Sequence, residues 1–232
     1  MSPSTEARKP LRCSSRFESN ARRDGYRSIA GVDEVGVGSL FGPVVAAAVI
    51  LDPSRRIRGV QDSKVLTPEV REELALKIRS SALAWSVGSV DAAEIDRINI
   101  YQASRLAMRL AVLGLKLLPD FVLVDARRLD IEIPQISIIH GDALSVSVAA
   151  ASIVAKVARD SLMREWDVVY PQYGLARHKG YSTPDHKKIL RELGPTPLHR
   201  RSYAPVWSSM TPVAGTMNET LLPFTAEDDD SL

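Results

Sequence analysis

Cysteine is nearly missing from this chain: Cys13 is the only one in 232 residues. That excludes an internal disulfide framework and a cysteine-built metal site, and it fits a reducing compartment. Long apolar runs are missing too. The longest, Val44 to Leu51, falls well short of the roughly 20 residues a membrane-spanning helix needs. Residues 1–20 carry basic and hydroxyl side chains without an apolar stretch, so they do not read as a secretory signal. No Gly-x-Ser-x-Gly elbow is present, which removes the usual nucleophilic hydrolase. The spacing of Gly31, Gly36 and Gly38 fits neither the Walker nor the dinucleotide fingerprint. His178, His186 and His199 lack metal-site spacing. With 45% hydrophobic and 25% charged residues, the chain reads as a soluble globular protein of the cytoplasm, with no membrane partner.

The net charge of +2 conceals an asymmetry. From Trp207 onward there are five acids and no Lys or Arg, which leaves 30 basic against 23 acidic residues elsewhere, a surplus of +7. Such a surplus fits a polyanionic partner.

Three regions are expected: a flexible leader over 1–27, one catalytic domain over 28–207, and a disordered acidic tail over 208–232. Within the domain, 29–34 and 44–51 read as two strands joined by a glycine turn. Thr67-Pro68-Glu69 starts a helix reaching about Ser80. Residues 84–90 form a third strand, and 92–115 carry an apolar stripe of helical period. Residues 121–125 and 135–139 read as further strands. Asp142 is expected to cap a long helix reaching about Trp166, with a shorter helix over 183–193. The pattern indicates an α/β fold with a mixed sheet.

The chemistry is expected to lie at the strand ends. Asp33 and Glu34 follow one apolar run and Asp125 ends another, so neighbouring strands would bring these carboxylates to one sheet edge. Ser152, Lys156 and Asp160 share one helix face at i, i+4 and i+8; such a stripe is usually a solvated face, and the alternative is that Asp160 looks into the sheet's edge and completes an acidic cluster of four. Side chains on successive strand residues alternate, so Asp33 and Glu34 can share a metal only if the strand ends or distorts there. Four carboxylates without Cys or His ligands suit two hard cations, Mg²⁺ or Mn²⁺, of the kind used in phosphoryl displacement. The glycines beside them let a substrate backbone approach the main chain.

As a set, the segments GVDEVGVGSLFGPVVAAAVIL, QDSKVLT, EIDRINIYQAS, LVDARRL, HGDALSVSVAAASIVAKVARDSLM and YPQYGLARHKGYSTPDH…LGPTPLHRRSYAPV resemble ribonuclease HII, the type 2 ribonuclease H family. The resemblance covers Ile29 to about Trp207. It implies a ribonuclease H-like fold with a central five-stranded mixed sheet flanked by helices and a helical C-terminal region. It also implies two-metal hydrolysis of RNA in RNA–DNA hybrids, and incision 5′ of ribonucleotides embedded in duplex DNA, leaving 3′-hydroxyl and 5′-phosphate ends. By position, Asp33, Glu34, Asp125 and Asp160 would be the catalytic, metal-binding acids. Gly36, Val37 and Gly38 would read the 2′-hydroxyl, the group that distinguishes RNA from DNA locally. Tyr181 would pack on the following sugar. Lys64, Ser152, Lys156 and Lys179 complete the expected substrate contacts.

Two departures bear on substrate preference: Val37 stands where the family has arginine, and Ala126 where it usually has glycine. A ribonuclease HIII-like nuclease is a competing reading, but its extra N-terminal domain has no room in the short leader. A hybrid-binding protein without catalysis is the other, against which the four retained acids count. No Gln-anchored, double-aromatic clamp-binding motif occurs near the C-terminus, and a monomer is expected.

Overall fold

The structure, a computed structural model, describes residues 13–210. Its elements in chain order are α1 (Arg16–Arg23), β1 (Ile29–Val35), β2 (Val44–Ile50), α2 (Pro68–Ser81), β3 (Ala84–Val90), α3 (Ala92–Leu113), β4 (Phe121–Asp125), β5 (Gln135–Ile138), α4 (Gly141–Leu144), α5 (Val146–Val169), α6 (Leu175–His178), α7 (Pro184–Leu193) and α8 (Ala204–Met210). The strands form one five-stranded mixed sheet in the order β3-β2-β1-β4-β5. Strands β1, β2 and β3 pair antiparallel, while β4 and β5 run parallel to β1. Covered on both faces, β2 is buried at every position, which is why its sequence is a continuous apolar run. At the edge, β3 alternates between buried and more exposed residues, with exposed Trp85 and Val87.

Helix α3 covers one face, packing Ile95, Ala103, Ala107, Met108 and Ala111 against Ala30, Val32 and Ala46 of the sheet. Helices α2 and α5 cover the other, against Ala47 and Val49. The approach of α5 to β1 is unusually close. A Cβ added at Gly31 would lie 2.0 Å from the backbone carbon of Ser147, so only glycine fits there. A third apolar cluster, of Leu40, Phe41, Met163, Tyr173, Leu175, Leu190 and Val206, joins the C-terminal helices to α5 and the glycine turn.

Two expectations need correction. Residues 1–27 are not all leader, since residues 16–23 form α1. Buried Glu18 of that helix accepts from Ser145 Oγ at 2.6 Å and from Ser147 N at 2.9 Å, while Ala21 packs beside Ile29 and Val148. This contact is tertiary, and no local pattern announces it. The long helix does not start at Asp142 either. Ser145 is extended (φ −112, ψ 129), ends α4, and caps α5 through its hydroxyl, which accepts from Val148 N. Asp142 lies inside α4. At the other end, residues 208–210 finish α8, and the rest of the expected tail lies outside the described residues.

Candidate active site

The parallel pairing of β1 with β4 sets Val32 opposite Val124, so Asp33 and Asp125 leave the sheet at the same edge. Oxygen atoms of Asp33, Glu34 and Asp125 all lie within 4.8 Å of one another. The strand does not end to allow this, because β1 continues to Val35. Instead the Asp33 carboxylate curls back, and its Oδ1 accepts from the Glu34 amide at 2.7 Å. Alternation still holds upstream: Gly31 faces α5, while Ala30 and Val32 pack on the α3 side.

Burial pushes the Asp33 carboxyl well above its ordinary range, and the charges of Glu34 and Asp125 add to the shift. Burial also raises Glu34, against the pull of Arg127, whose Nε donates to Oε1 at 3.1 Å. Asp125 is raised by burial and partly lowered by the Gly141 amide, which donates to its Oδ1 at 2.7 Å. Glu34 Oε2 is buried with no hydrogen-bond partner among the described residues. Three mutually repelling carboxylates, one oxygen orphaned, and no Cys or His among them are the donor set of a hard divalent cation.

The structure does not bring Asp160 to this cluster. Its Oδ1 accepts from Lys156 Nζ at 2.7 Å, and its Oδ2 lies 3.6 Å from Arg71 Nη1. Asp160 sits on the expected face of α5, but eight residues beyond Ser152, which carries it about 12 Å along the axis. Ser152, by contrast, places its hydroxyl beside Asp33. The acid that stands with the cluster is Asp142, 5% exposed, whose charge adds to the upward shifts of both Asp33 and Asp125. It also accepts from Lys64 Nζ at 2.7 Å. Sequence reasoning assigned it to a helix cap. The available signal was its place four residues past β5, a parallel strand ending at the same edge.

The family model for Ribonuclease HII matches residues 30–206. The chain belongs to the ribonuclease HII family. Ribonuclease HII of Koribacter versatilis (strain Ellin345) is 58% identical over 204 residues, which are 88% of this chain and 80% of that protein. Ribonuclease HII of Solibacter usitatus (strain Ellin6076) is 58% identical over 84% of this chain and 86% of the relative. The crystal structure of ribonuclease H2 from Pyrococcus horikoshii OT3 superposes with a TM-score of 0.70 at 30% identity, covering 79% of this chain and 97% of that one. The chain is thus a ribonuclease H-type hydrolase, with activity on RNA–DNA hybrids and a carboxylate site for divalent metal. Among the described residues, no helix is long and apolar enough to cross a membrane.

The remaining expected site residues form two groups. Lys64 and Ser152 stand with the acids. Lys156, Lys179 and Tyr181 form the second group with Asp160 and Arg159: Lys156 Nζ lies 5.7 Å and Arg159 Cζ 5.4 Å from the Tyr181 ring centroid. The glycine turn joins the groups, since Ser39 bridges to Tyr181 and Leu40 N donates to Gly180 O at 2.8 Å. Gly36 is closed in, with φ +90 and an added Cβ only 2.2 Å from Arg159 Nε. Gly38 is exposed, and a Cβ there would meet nothing within 4 Å. Val37 turns its half-buried side chain into the α3-side core. Ala126 has φ +49, a left-handed backbone that favours glycine, so its methyl group costs strain at the residue after Asp125. Buried His178, His186 and His199 serve the packing of the C-terminal region. His186 Nε2 and His199 Nε2 are 3.1 Å apart, and burial lowers their pKa values to about 4 and about 3.

Proposed function

We propose that this enzyme, besides hydrolysing the RNA strand of hybrids, incises duplex DNA on the 5′ side of a single embedded ribonucleotide, leaving 3′-hydroxyl and 5′-phosphate ends. The observation that carries this reading is the open glycine turn beside the acid cluster. Its main chain at Gly38 is exposed, and it is stitched directly to Tyr181. A recognition surface one sugar wide needs no run of ribonucleotides.

Asp33, Glu34, Asp125 and Asp142 would hold two Mg²⁺ or Mn²⁺ ions. Bound there, such ions would supply a reactive water and neutralise charge on the phosphate. The chain's own residues do the rest. Open space at Gly38 would admit the sugar, whose 2′-hydroxyl would be read by main-chain groups, while Gly36 lets the turn pack on Arg159. Tyr181, backed by Lys156 and Arg159, offers an apolar face with positive charge behind it. Lys64 and Lys179 would meet flanking phosphates. The enzyme would work in the cytoplasm as a monomer.

The deciding assay compares an all-DNA duplex, the same duplex with one ribonucleotide, and an RNA–DNA hybrid, with Mg²⁺, Mn²⁺ or chelator. Cleavage of the hybrid alone would refute single-ribonucleotide incision while leaving the chemistry intact. Val37 packs against the α3-side core, so an arginine there must leave that core for the surface to reach a phosphate. In that position Val37→Arg is expected to bind the ribonucleotide duplex more tightly, most of all at low ionic strength. One added phosphate contact should steepen the log–log salt dependence by about one unit. Titrations from low to moderate salt check this, and parallel lines for the two proteins would show that the new side chain misses the phosphate.

A further inference from the structure

Two fully buried arginines hold the glycine turn by its carbonyls. Arg159 Nη1 donates to Lys179 O at 2.9 Å, its Nη2 to Ser39 Oγ at 2.7 Å and Phe41 O at 3.1 Å, and its Nε to Pro43 O at 3.2 Å. Arg200 Nε donates to Gly42 O, and its Nη1 to Val37 O, both at 3.0 Å. Tyr203 closes the second set into a ring. Its hydroxyl accepts from Arg200 Nη1 at 3.0 Å and donates to the same Val37 oxygen.

That oxygen therefore receives two donors from the protein interior. A trans peptide points its N–H opposite to its C=O, and the described residues contain no cis bond. Drawing the Val37 carbonyl inward therefore aims the Gly38 N–H outward, at the exposed residue where added atoms would meet open space. The Gly38 amide has no acceptor among the described residues. The Gly36 carbonyl is also consumed within the turn, accepting from Ser39 N at 3.3 Å. What the turn offers outward at Gly38 is a donor, suited to a sugar hydroxyl or phosphate oxygen.

We infer that Arg200 and Tyr203 are positioning residues for ribonucleotide recognition: by clamping the Val37 carbonyl they fix the direction of the Gly38 amide that meets the substrate's 2′-hydroxyl oxygen. The inference rests on the single-ribonucleotide reading above. It gives a task to two residues that lie more than 160 positions from the turn. It also explains how a valine can replace the family's arginine, since the side chain at 37 is turned inward while its peptide does the reading.

Tyr203→Phe keeps the ring and removes only the hydroxyl. Expected is a fall of about fivefold in kcat/KM on the single-ribonucleotide duplex, carried by KM. The RNA–DNA hybrid, with a 2′-hydroxyl at every step, should lose less than twofold. Arg200→Lys, if it folds, should show the same split more strongly. An equal loss on both substrates, or none on either, overturns the clamp. Amide relaxation of the free protein supplies a measurement that needs no substrate: the Gly38 N–H order parameter should drop from a rigid value near 0.85 towards 0.6 in Tyr203→Phe. An unchanged order parameter overturns the inference as well. Should the natural enzyme ignore the single ribonucleotide, the substrate reading fails, and the order parameter still decides the clamp.

Discussion

Asp33→Asn is expected to lose about a thousandfold or more in hybrid cleavage at saturating Mg²⁺, roughly 4 kcal/mol of transition-state stabilisation, yet to be more stable than the natural chain when no metal is present. Asp33 is 5% exposed and crowded by Glu34 and Asp125, so its charge strains the metal-free fold. Its carboxyl is raised in the folded state. The folded protein therefore keeps that proton to higher pH than the unfolded chain does. The penalty is absent below the unfolded pKa of about 4 and grows as pH rises through the raised folded value. The stability advantage of Asn should thus be present at neutral pH and fade towards pH 4, with each kcal/mol worth about 2–4 °C in Tm. Divalent cation should stabilise the natural chain and hardly affect the variant. Asp142→Asn is expected to lose about a hundredfold or more, while Asp160→Asn should retain most of its activity and all of its metal-dependent stabilisation. Thermal melts with and without Mn²⁺, beside the cleavage assay, check these outcomes. A fully active Asp142→Asn, or an inactive Asp160→Asn, would return the fourth position to Asp160.

The buried histidines impose the opposite trend. His186 and His199 are held neutral, with pKa values of about 4 and about 3 against 6.5 unperturbed. Their contribution is present above pH 6.5 and is lost as pH falls through those folded values. The difference between Asp33→Asn and the natural chain, rather than either curve alone, isolates the acid site.

Gly31→Ala is expected to be among the most damaging substitutions outside the acid cluster. Its Cβ would sit 2.0 Å, 2.2 Å and 2.4 Å from Ser147 C, Ser147 O and Val148 N, all of them backbone. Backbone cannot change rotamer, so β1 and α5 must separate. The cost should be about 3 kcal/mol or more, a fall of roughly 6–12 °C in Tm. Activity should fall further than unfolding explains, because displacing α5 carries the Ser152 hydroxyl away from Asp33. A Tm within 2 °C of the natural chain's would show that the interface yields cheaply.

Much of this architecture was legible in the sequence. Strands at 84–90 and 121–125 have the expected bounds: the second is a short apolar run ending in a carboxylate, and the first interleaves apolar with small or polar residues. The helix start at Thr67-Pro68 was equally plain, with cap and proline in local order. Asp33, Glu34 and Asp125 could be brought together because strand ends are local features and parallel pairing does the rest. Asp160 was grouped with these acids although a shared helix face says nothing about height along the axis, and the fold sets it apart from them. Asp142 reads from the sequence as a cap because an acid before a helical stretch usually is one, and the break at Ser145 is bridged by buried Glu18, some 127 residues away in the chain. The carbonyl clamp was illegible for the same reason. Arg200 and Tyr203 show no periodicity that points to Val37, and only the packed fold puts them on one oxygen.

That distant acid has a consequence for the order in which the molecule is made. Helix α1 leaves the ribosome early, but Ser145 and Ser147, which Glu18 holds, are synthesised 127 and 129 residues later. At about 5–20 residues per second that is a delay of roughly 6–25 s. An isolated eight-residue helix does not persist in water over such an interval. The N-terminal segment must therefore wait unstructured until the first turn of α5 exists, and dock on it as one of the last events of folding. By the same logic it should be among the first parts to let go. Native-state hydrogen exchange should find the α1 amides opening at a lower free energy than those of α5, and equal protection would mean that α1 belongs to the central cooperative unit.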